Sequence, residues 1–305
     1  MRHLITLCDV SSAEVAAIFA ITEDLKTKFA QGLREPLLPG RTLALLFEKQ
    51  SLRTRVSFEA GITHLGGNCI MLGDDVGFGK RESVADFTRV LSEMVDAIVV
   101  RSKKHDTVVE VAQHAKCAVI NGLTDESHPC QALADLYSMR EHFGKLDGLK
   151  LAWVGDGNNV ARSLVRCCGH TGVSVAVATP KGYELESQFV ADARQKFPNL
   201  DLLTTHDPAE AVAGASAVYT DVWASMGQEA ERAKRLQDFA AYQVNGKLMK
   251  AAPADAVFMH CLPARRGEEV TDEVIDSPQS IVVAQAANRM HVQKGILVWL
   301  LGQQA

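Results

Sequence analysis

Short apolar runs alternate with amphipathic helical patterns along nearly the whole chain, and this alternation most narrows the folds open to it. Residues 43–47, 69–72, 97–100 and 117–120 read as strands, separated by helical patterns at about 53–65, 83–95 and 106–115. An opening helix over 11–32 carries a capping box (Ser11 with Glu14) and a closing glycine, Gly32. Strands of four or five apolar residues, each followed by a helix, call for parallel neighbours with the helix returning over the sheet. A further helix at about 129–143 ends the first series, and residues 144–150 read as a boundary. The alternation then restarts, with strands at 151–154, 173–178, 202–204, 217–220, 256–259 and 281–283, and a last helix at about 286–301. The expected fold is α/β: two doubly wound domains, each a parallel β-sheet flanked by helices.

Composition fits that architecture. At about 150 residues per domain, 305 residues suffice for two. Hydrophobic residues make up 47% and charged residues 23%, enough for a substantial core and against disorder. The formal net charge of −5 argues against a dedicated nucleic-acid binder. Seven cysteines, an odd number with no C-x-x-C spacing, suggest buried thiols in a reducing compartment rather than a disulfide framework or a zinc site. The opening MRHLITLCDV has no signal-like apolar stretch, and the run at 296–301 is too short to cross a bilayer. A soluble, cytoplasmic protein is expected, with no membrane partner.

In parallel α/β sheets, ligands bind beyond the carboxyl ends of the strands. The first strand delivers Glu48-Lys49-Gln50-Ser51-Leu52-Arg53-Thr54-Arg55. Others deliver Arg101, Asn121, Asp156 with Asn159, Asp221, and His260-Cys261. One polar strand end is ordinary loop solvation; six together suggest a ligand site. Ser51 to Arg55 lie where a strand turns into a helix, so unpaired N–H groups and the positive end of the helix dipole coincide with two hydroxyls and two guanidinium groups. That combination suits a phosphate. His128-Pro129-Cys130-Gln131 opens a helix with an imidazole and an amide three residues apart. The first can donate to a carbonyl oxygen and the second can bind an NH2 group. Asp221, before a small loop closed by Gly227, can seat an ammonium, and Cys261 is either a buried thiol or a polar contact in a cleft.

Competing motifs fail. Around Gly79-Lys80 a Walker A loop would need glycine where Asp74 stands and a hydroxyl where Arg81 stands. Gly155-Asp156-Gly157 begins a dinucleotide fingerprint, but Val160 replaces its third glycine and no ribose-binding acid follows the next strand. There is no G-x-S-x-G elbow. An oxidoreductase or a serine hydrolase is disfavoured.

In chain order, SLRTR at 51–55, HPCQ at 128–131, DVWASMG at 221–227 and HCLP at 260–263 resemble the aspartate/ornithine carbamoyltransferase family. The last two motifs resemble its ornithine-using members, and the similarity spans essentially the whole chain. The resemblance implies transfer of the carbamoyl group of carbamoyl phosphate to the δ-amine of L-ornithine, giving L-citrulline and phosphate, as in arginine biosynthesis. It implies no metal and no organic cofactor. It also implies a carbamoyl phosphate-binding domain over residues 1–143, joined by the terminal helix 286–305, and an ornithine-binding domain over 144–285. Ser51, Leu52, Arg53 and Thr54 would cradle the phosphate, and Arg101 would bridge phosphate and carbonyl oxygen. His128 would hold that oxygen and Gln131 the carbamoyl amide, with Arg289 as a further contact. Cys261 and Leu262 would lie at the reacting centre; Asn159, Asp221, Ser225 and Met226 match ornithine-binding positions. Arg101, His128, Asp221 and Cys261 are thereby the implied catalytic residues.

The family also implies a homotrimer with active sites shared between subunits. Many relatives carry a glutamine in a loop that reaches a neighbouring subunit's site. Here the matching residue is Gly77, in GFGKRES, so Lys80 or Arg81 is expected to compensate. Other amine acceptors fit less well. Aspartate would want extra cations in the second domain, putrescine would leave Asn159 and Ser225 without ligand groups, and N-acylated ornithine is the remaining variant. A non-catalytic binding protein would not need Arg53, Arg101, His128, Asp221 and Cys261 together.

Overall fold

The computed structural model describes residues 2–224 and 229–302. The chain divides into two compact units: the first runs to Tyr137 and resumes at Asn288, and the second is Ser138–Ala287.

The first unit opens with α1 (Ser12–Ala30). Its capping box is complete: Ser11 Oγ accepts from the Glu14 N–H at 3.2 Å, and the Glu14 carboxylate accepts from the Ser11 N–H at 2.9 Å. Then follow β1 (Thr42–Phe47), α2 (Leu52–His64), β2 (Asn68–Leu72), α3 (Val84–Leu91), β3 (Ala97–Arg101), α4 (His105–His114), β4 (Ala118–Leu123) and α5 (Pro129–Phe143). Among the described residues the four strands pair in parallel, in the order β2-β1-β3-β4. The central strands β1 and β3 are almost wholly buried, as unbroken apolar runs must be in a sheet covered on both faces. Strand order reverses direction between β1 and β3, and ligand crevices form beyond the carboxyl ends at such a switch.

The second unit contains β5 (Lys150–Val154), α6 (Asn159–Thr171), β6 (Ser174–Ala178), α7 (Ser187–Lys196), β7 (Leu202–Thr205), α8 (Pro208–Val212), β8 (Ala217–Thr220), α9 (Arg232–Asp238), α10 (Gly246–Met249), β9 (Val257–His260) and α11 (Asp272–Ile275). Its described strands form a parallel sheet in the order β7-β6-β5-β8-β9, with the switch between β5 and β8. Both domains are therefore doubly wound, as the alternation predicts.

The last helix, α12 (Val282–Leu301), returns the chain to the first unit. Lys26 of α1 donates to Asn288 at 2.6 Å. Gly295 meets α1 so closely that a Cβ there would lie 2.9 Å from the Ile18 carbonyl oxygen, so a larger residue would push the two helices apart. The helix begins four residues before the Ala286 predicted from sequence, and the strand predicted at 281–283 is absent. Phe258 of β9 accepts a hydrogen bond from the Ile281 N–H and makes an isolated bridge with Ser280, after which the chain turns directly into α12. A run as short as Ser-Ile-Val-Val has no periodicity to separate strand from helix start. Similarly, α3 stops at Leu91 rather than continuing to Val95. Among the described residues, no helix is long and apolar enough to cross a membrane.

Candidate functional site

In the first unit, polar residues gather beyond β1 and β3. Ser51 is the N-cap of α2: its hydroxyl accepts from the Thr54 N–H at 3.3 Å and donates to Thr54 Oγ1 at 3.0 Å. Arg289, on α12, donates to the same Thr54 oxygen at 2.8 Å. Thr54 and Arg289 are buried, Ser51 and Arg53 are half-buried, and Leu52 is exposed. The first N–H groups of α2 and two arginines thus share one helix end without a carboxylate in its first turn, the arrangement that favours an anion.

Arg101 ends β3, where the register with β4 shifts between Val100 and Arg101. Such an irregularity re-aims the side chain that follows it, and Arg101 is buried. His128 immediately precedes α5 and is also buried. Burial holds its imidazole well below the ordinary 6.5, and the positive charges of Arg289 and Arg101 push it further down. It is therefore a neutral hydrogen-bonding group among fixed cations. Gln131, in the first turn of α5, is buried and donates from Nε2 to the buried Asp135 at 2.8 Å. Chemically, the group can hold a phosphate at α2 and polarise a carbonyl with donors already in place.

In the second unit, polar residues gather beyond β5, β8 and β9. Asp221 follows β8 and is buried; one carboxylate oxygen accepts from the Val222 N–H at 2.8 Å and from the Cys261 thiol at 3.1 Å. The other accepts from Asn158 at 3.1 Å. Asn158 is the N-cap of α6, its oxygen accepting from the Val160 and Ala161 N–H groups, so α6 itself aims it. Asn159, the predicted contact, is the first residue of α6 and half-buried. Ser225 and Met226 lie outside the described residues.

Leu262 adopts a left-handed conformation, φ 57°, rare for a branched side chain. Its N–H donates to His260 Nδ1 at 2.8 Å, and the other ring nitrogen of His260 meets the fully buried Glu269 at 3.2 Å. His260 thus braces the Cys261-Leu262 turn from behind. Asp221, His260 and Cys261 bring three possible metal-ligand atoms within 4.8 Å of one another. Both ring nitrogens of His260 are already engaged, so a cation would have to break one of those bonds. The buried carbonyl oxygen of Gln131, without a hydrogen-bond partner among the described residues, suits a small N–H donor.

Several residues act differently from their sequence reading. Asn121 lies inside β4 rather than at its end, donates to the Ile5 carbonyl at 2.9 Å and pins the loop before His128. Asp156 pairs with Arg235 at 2.6 Å, and burial lifts its carboxyl above the usual range against that pull. Gly157 serves close packing rather than a pyrophosphate: a Cβ there would sit 2.6 Å from the Glu184 carbonyl carbon. Gly77 has φ 70°, a conformation glutamine would adopt only with strain, and Lys80 lines a cavity with Glu48, Phe78 and Lys103.

Sequence reasoning missed Asn158, Asp135 and Arg235. Arg235 is buried and donates to Asp156 at 2.6 Å and to the Trp223 carbonyl at 2.9 Å, tying the β5 end to the segment after Asp221. Only its place on α9 is visible in sequence; Asn158 had a capping signature beside Asn159.

Two family models match the chain. Residues 2–141 match "Aspartate/ornithine carbamoyltransferase, carbamoyl-P binding domain" and residues 147–300 match the "Asp/Orn binding domain" of the same family. The ornithine carbamoyltransferase of Carboxydothermus hydrogenoformans is 50% identical over 304 residues, 99% of this chain and 98% of that one. That of Bacillus subtilis is 49% identical, covering 98% of this chain and 94% of its own. Among solved structures, ornithine carbamoyltransferase from Pyrococcus furiosus superposes with a TM-score of 0.96 at 47% identity, covering 100% of this chain and 98% of its own.

Proposed function

The chain belongs to the aspartate/ornithine carbamoyltransferase family, and from that premise we propose that it transfers the carbamoyl group of carbamoyl phosphate to the δ-amine of L-ornithine. The products are L-citrulline and phosphate. A bond forms between the δ-nitrogen and the carbamoyl carbon, the carbon–oxygen bond to phosphate breaks, and the amine loses a proton.

In this reading Ser51, Leu52, Arg53 and Thr54 hold the phosphate through hydroxyls, guanidinium and the first N–H groups of α2. Arg101, His128 and Arg289 donate to the carbonyl oxygen as it gains charge. Each well-placed donor contributes about 3–4 kcal/mol to such a step. Gln131 accepts from the carbamoyl NH2. Asp221 and Cys261 orient the δ-amine, with Asn159, Ser225 and Met226 at the amino-acid end and Leu262 beside the carbamoyl group. Positioning does most of the work, and no covalent intermediate is needed.

The observation that carries the reading is the buried His128, kept neutral by burial and by the charges of Arg289 and Arg101, one turn from a buried amide. A carbonyl with an adjacent NH2 and an anionic leaving group matches that set, whereas a simple phosphate-binding site needs neither imidazole nor amide.

The test offers carbamoyl phosphate with ornithine, putrescine, N-acetylornithine or aspartate and follows phosphate release. Ornithine is expected to give the highest kcat/KM; a higher value with another amine overturns the assignment. We also assign the chain to the cytoplasm and to a homotrimer with shared sites, in which Lys80 or Arg81 replaces the loop glutamine. Alanine at both positions should raise the KM for carbamoyl phosphate, and an unchanged KM rejects that role.

A further inference from the structure

The amide of Gln131 has two chemically opposite ends, and a site that must accept from an NH2 group can use only one. Glutamine alone does not choose between them, since its ends have nearly the same shape. Asp135 stands one turn further along α5, fully buried, with Oδ1 2.8 Å from Gln131 Nε2. A carboxylate offers only acceptors, so it takes the NH2 end of the glutamine. The carbonyl end is thereby turned away from Asp135. That oxygen is buried and has no hydrogen-bond partner among the described residues. An acceptor held dry and unsatisfied, one turn from His128, is matched by a ligand that brings an N–H.

On a solvent-exposed helix face, an i,i+4 glutamine–aspartate pair would merely support the helix. Here both side chains lie in the interior, and the consequence falls on the atom left over. We propose that Asp135 is a positioning residue that fixes the Gln131 amide with its carbonyl toward the ligand, and so selects carbamoyl phosphate over acyl phosphates that carry a methyl group in place of NH2. The inference rests on the carbamoyl-transfer reading and deepens it. Carbamoyl and acetyl phosphate share the phosphate and the carbonyl. They differ at the group facing Gln131, where a methyl would leave the buried oxygen unpaired; sites built this way reject the analogue that lacks the donor.

The experiment compares Asp135→Asn with the unaltered protein, using the KM for carbamoyl phosphate and the inhibition constants of acetyl phosphate and inorganic phosphate. Asparagine keeps the shape but can present its own NH2, which lets the glutamine flip. The KM for carbamoyl phosphate should rise by about ten-fold, the scale of one buried hydrogen bond. Both inhibition constants and the KM for ornithine should stay within about two-fold, since no contact with phosphate changes. A merely structural role would weaken all of these together. Asp135→Glu retains an acceptor-only end and should recover most of the discrimination; it also serves if the asparagine variant fails to fold. In a Gln131→Met background, Asp135→Asn should change the ratio no further, because nothing remains to orient. If the unaltered protein turns over carbamoyl phosphate and ornithine while Asp135→Asn leaves the ratio intact, or Asp135→Asn still changes it in the Gln131→Met background, the inference is wrong and the carbamoyl-transfer reading stands. If the unaltered protein does not use carbamoyl phosphate, that reading itself has failed.

Discussion

Arg101 and Arg289 in the first unit and Asp221 in the second are all more than nine-tenths buried, yet their surroundings differ. Around His128, burial and then the positive charges of Arg289 and Arg101 all press the imidazole toward its neutral form. Around Asp221 the neighbours are donors: the Val222 N–H, the Cys261 thiol and Asn158. The first group sets Arg101 and Arg289 about a neutral imidazole, with the Asp135 carboxylate engaged by Gln131, and gains most when an anion arrives. The second is satisfied internally before any ligand is present. Function and stability are therefore expected to pull apart in the first unit and to coincide in the second.

The largest expected effect tests the second half of that contrast. Arg235→Met removes the partner of Asp156 and the donor to the Trp223 carbonyl. Losing one partner of a buried pair costs about 3–5 kcal/mol, read as a lower urea midpoint. The KM for ornithine should rise while that for carbamoyl phosphate holds. Next comes Arg101→Met, which should lower kcat by about 10²–10³, the loss of one donor to a developing oxyanion, with a urea midpoint that falls by less than that of Arg235→Met. If Arg101→Met destabilises as much as Arg235→Met, the contrast between the units is false.

The same contrast explains what could be read from sequence. Both sheets follow from apolar runs of period-free burial alternating with helices, a local signal that survives without tertiary information. Arg101, His128 and Asp221 sit at strand or helix ends that local pattern marks. Arg235 bonds a residue 79 positions away, and nothing in RAKRLQD separates it from a surface arginine. Nothing local to residues 129–143 marks Asp135, because its burial depends on what packs around α5. Asn121 and Asp156 carried the right signal for the wrong reason, since a polar strand end can brace a loop as readily as it can meet a ligand.

The smallest effect is a pH slope. His128 is neutral in the folded chain, with burial and then the charges of Arg289 and Arg101 holding it well below 6.5. In the unfolded chain the same imidazole takes up a proton as pH falls through about 6.5. Below that point the unfolded state binds one more proton than the folded state, so stability is full above pH 6.5 and declines as pH falls, by about 1.4 kcal/mol per pH unit for this one group. His3 and His64 are shifted in the same direction, so the total acid loss is steeper and does not isolate His128. His128→Asn does isolate it. Urea unfolding of both proteins between pH 7.5 and 5 should give curves that differ in slope only on the acid side, with the variant the flatter. Parallel curves would mean that His128 protonates within the fold, and a cationic imidazole beside Arg101 and Arg289 would make the first group a different kind of site from the one described.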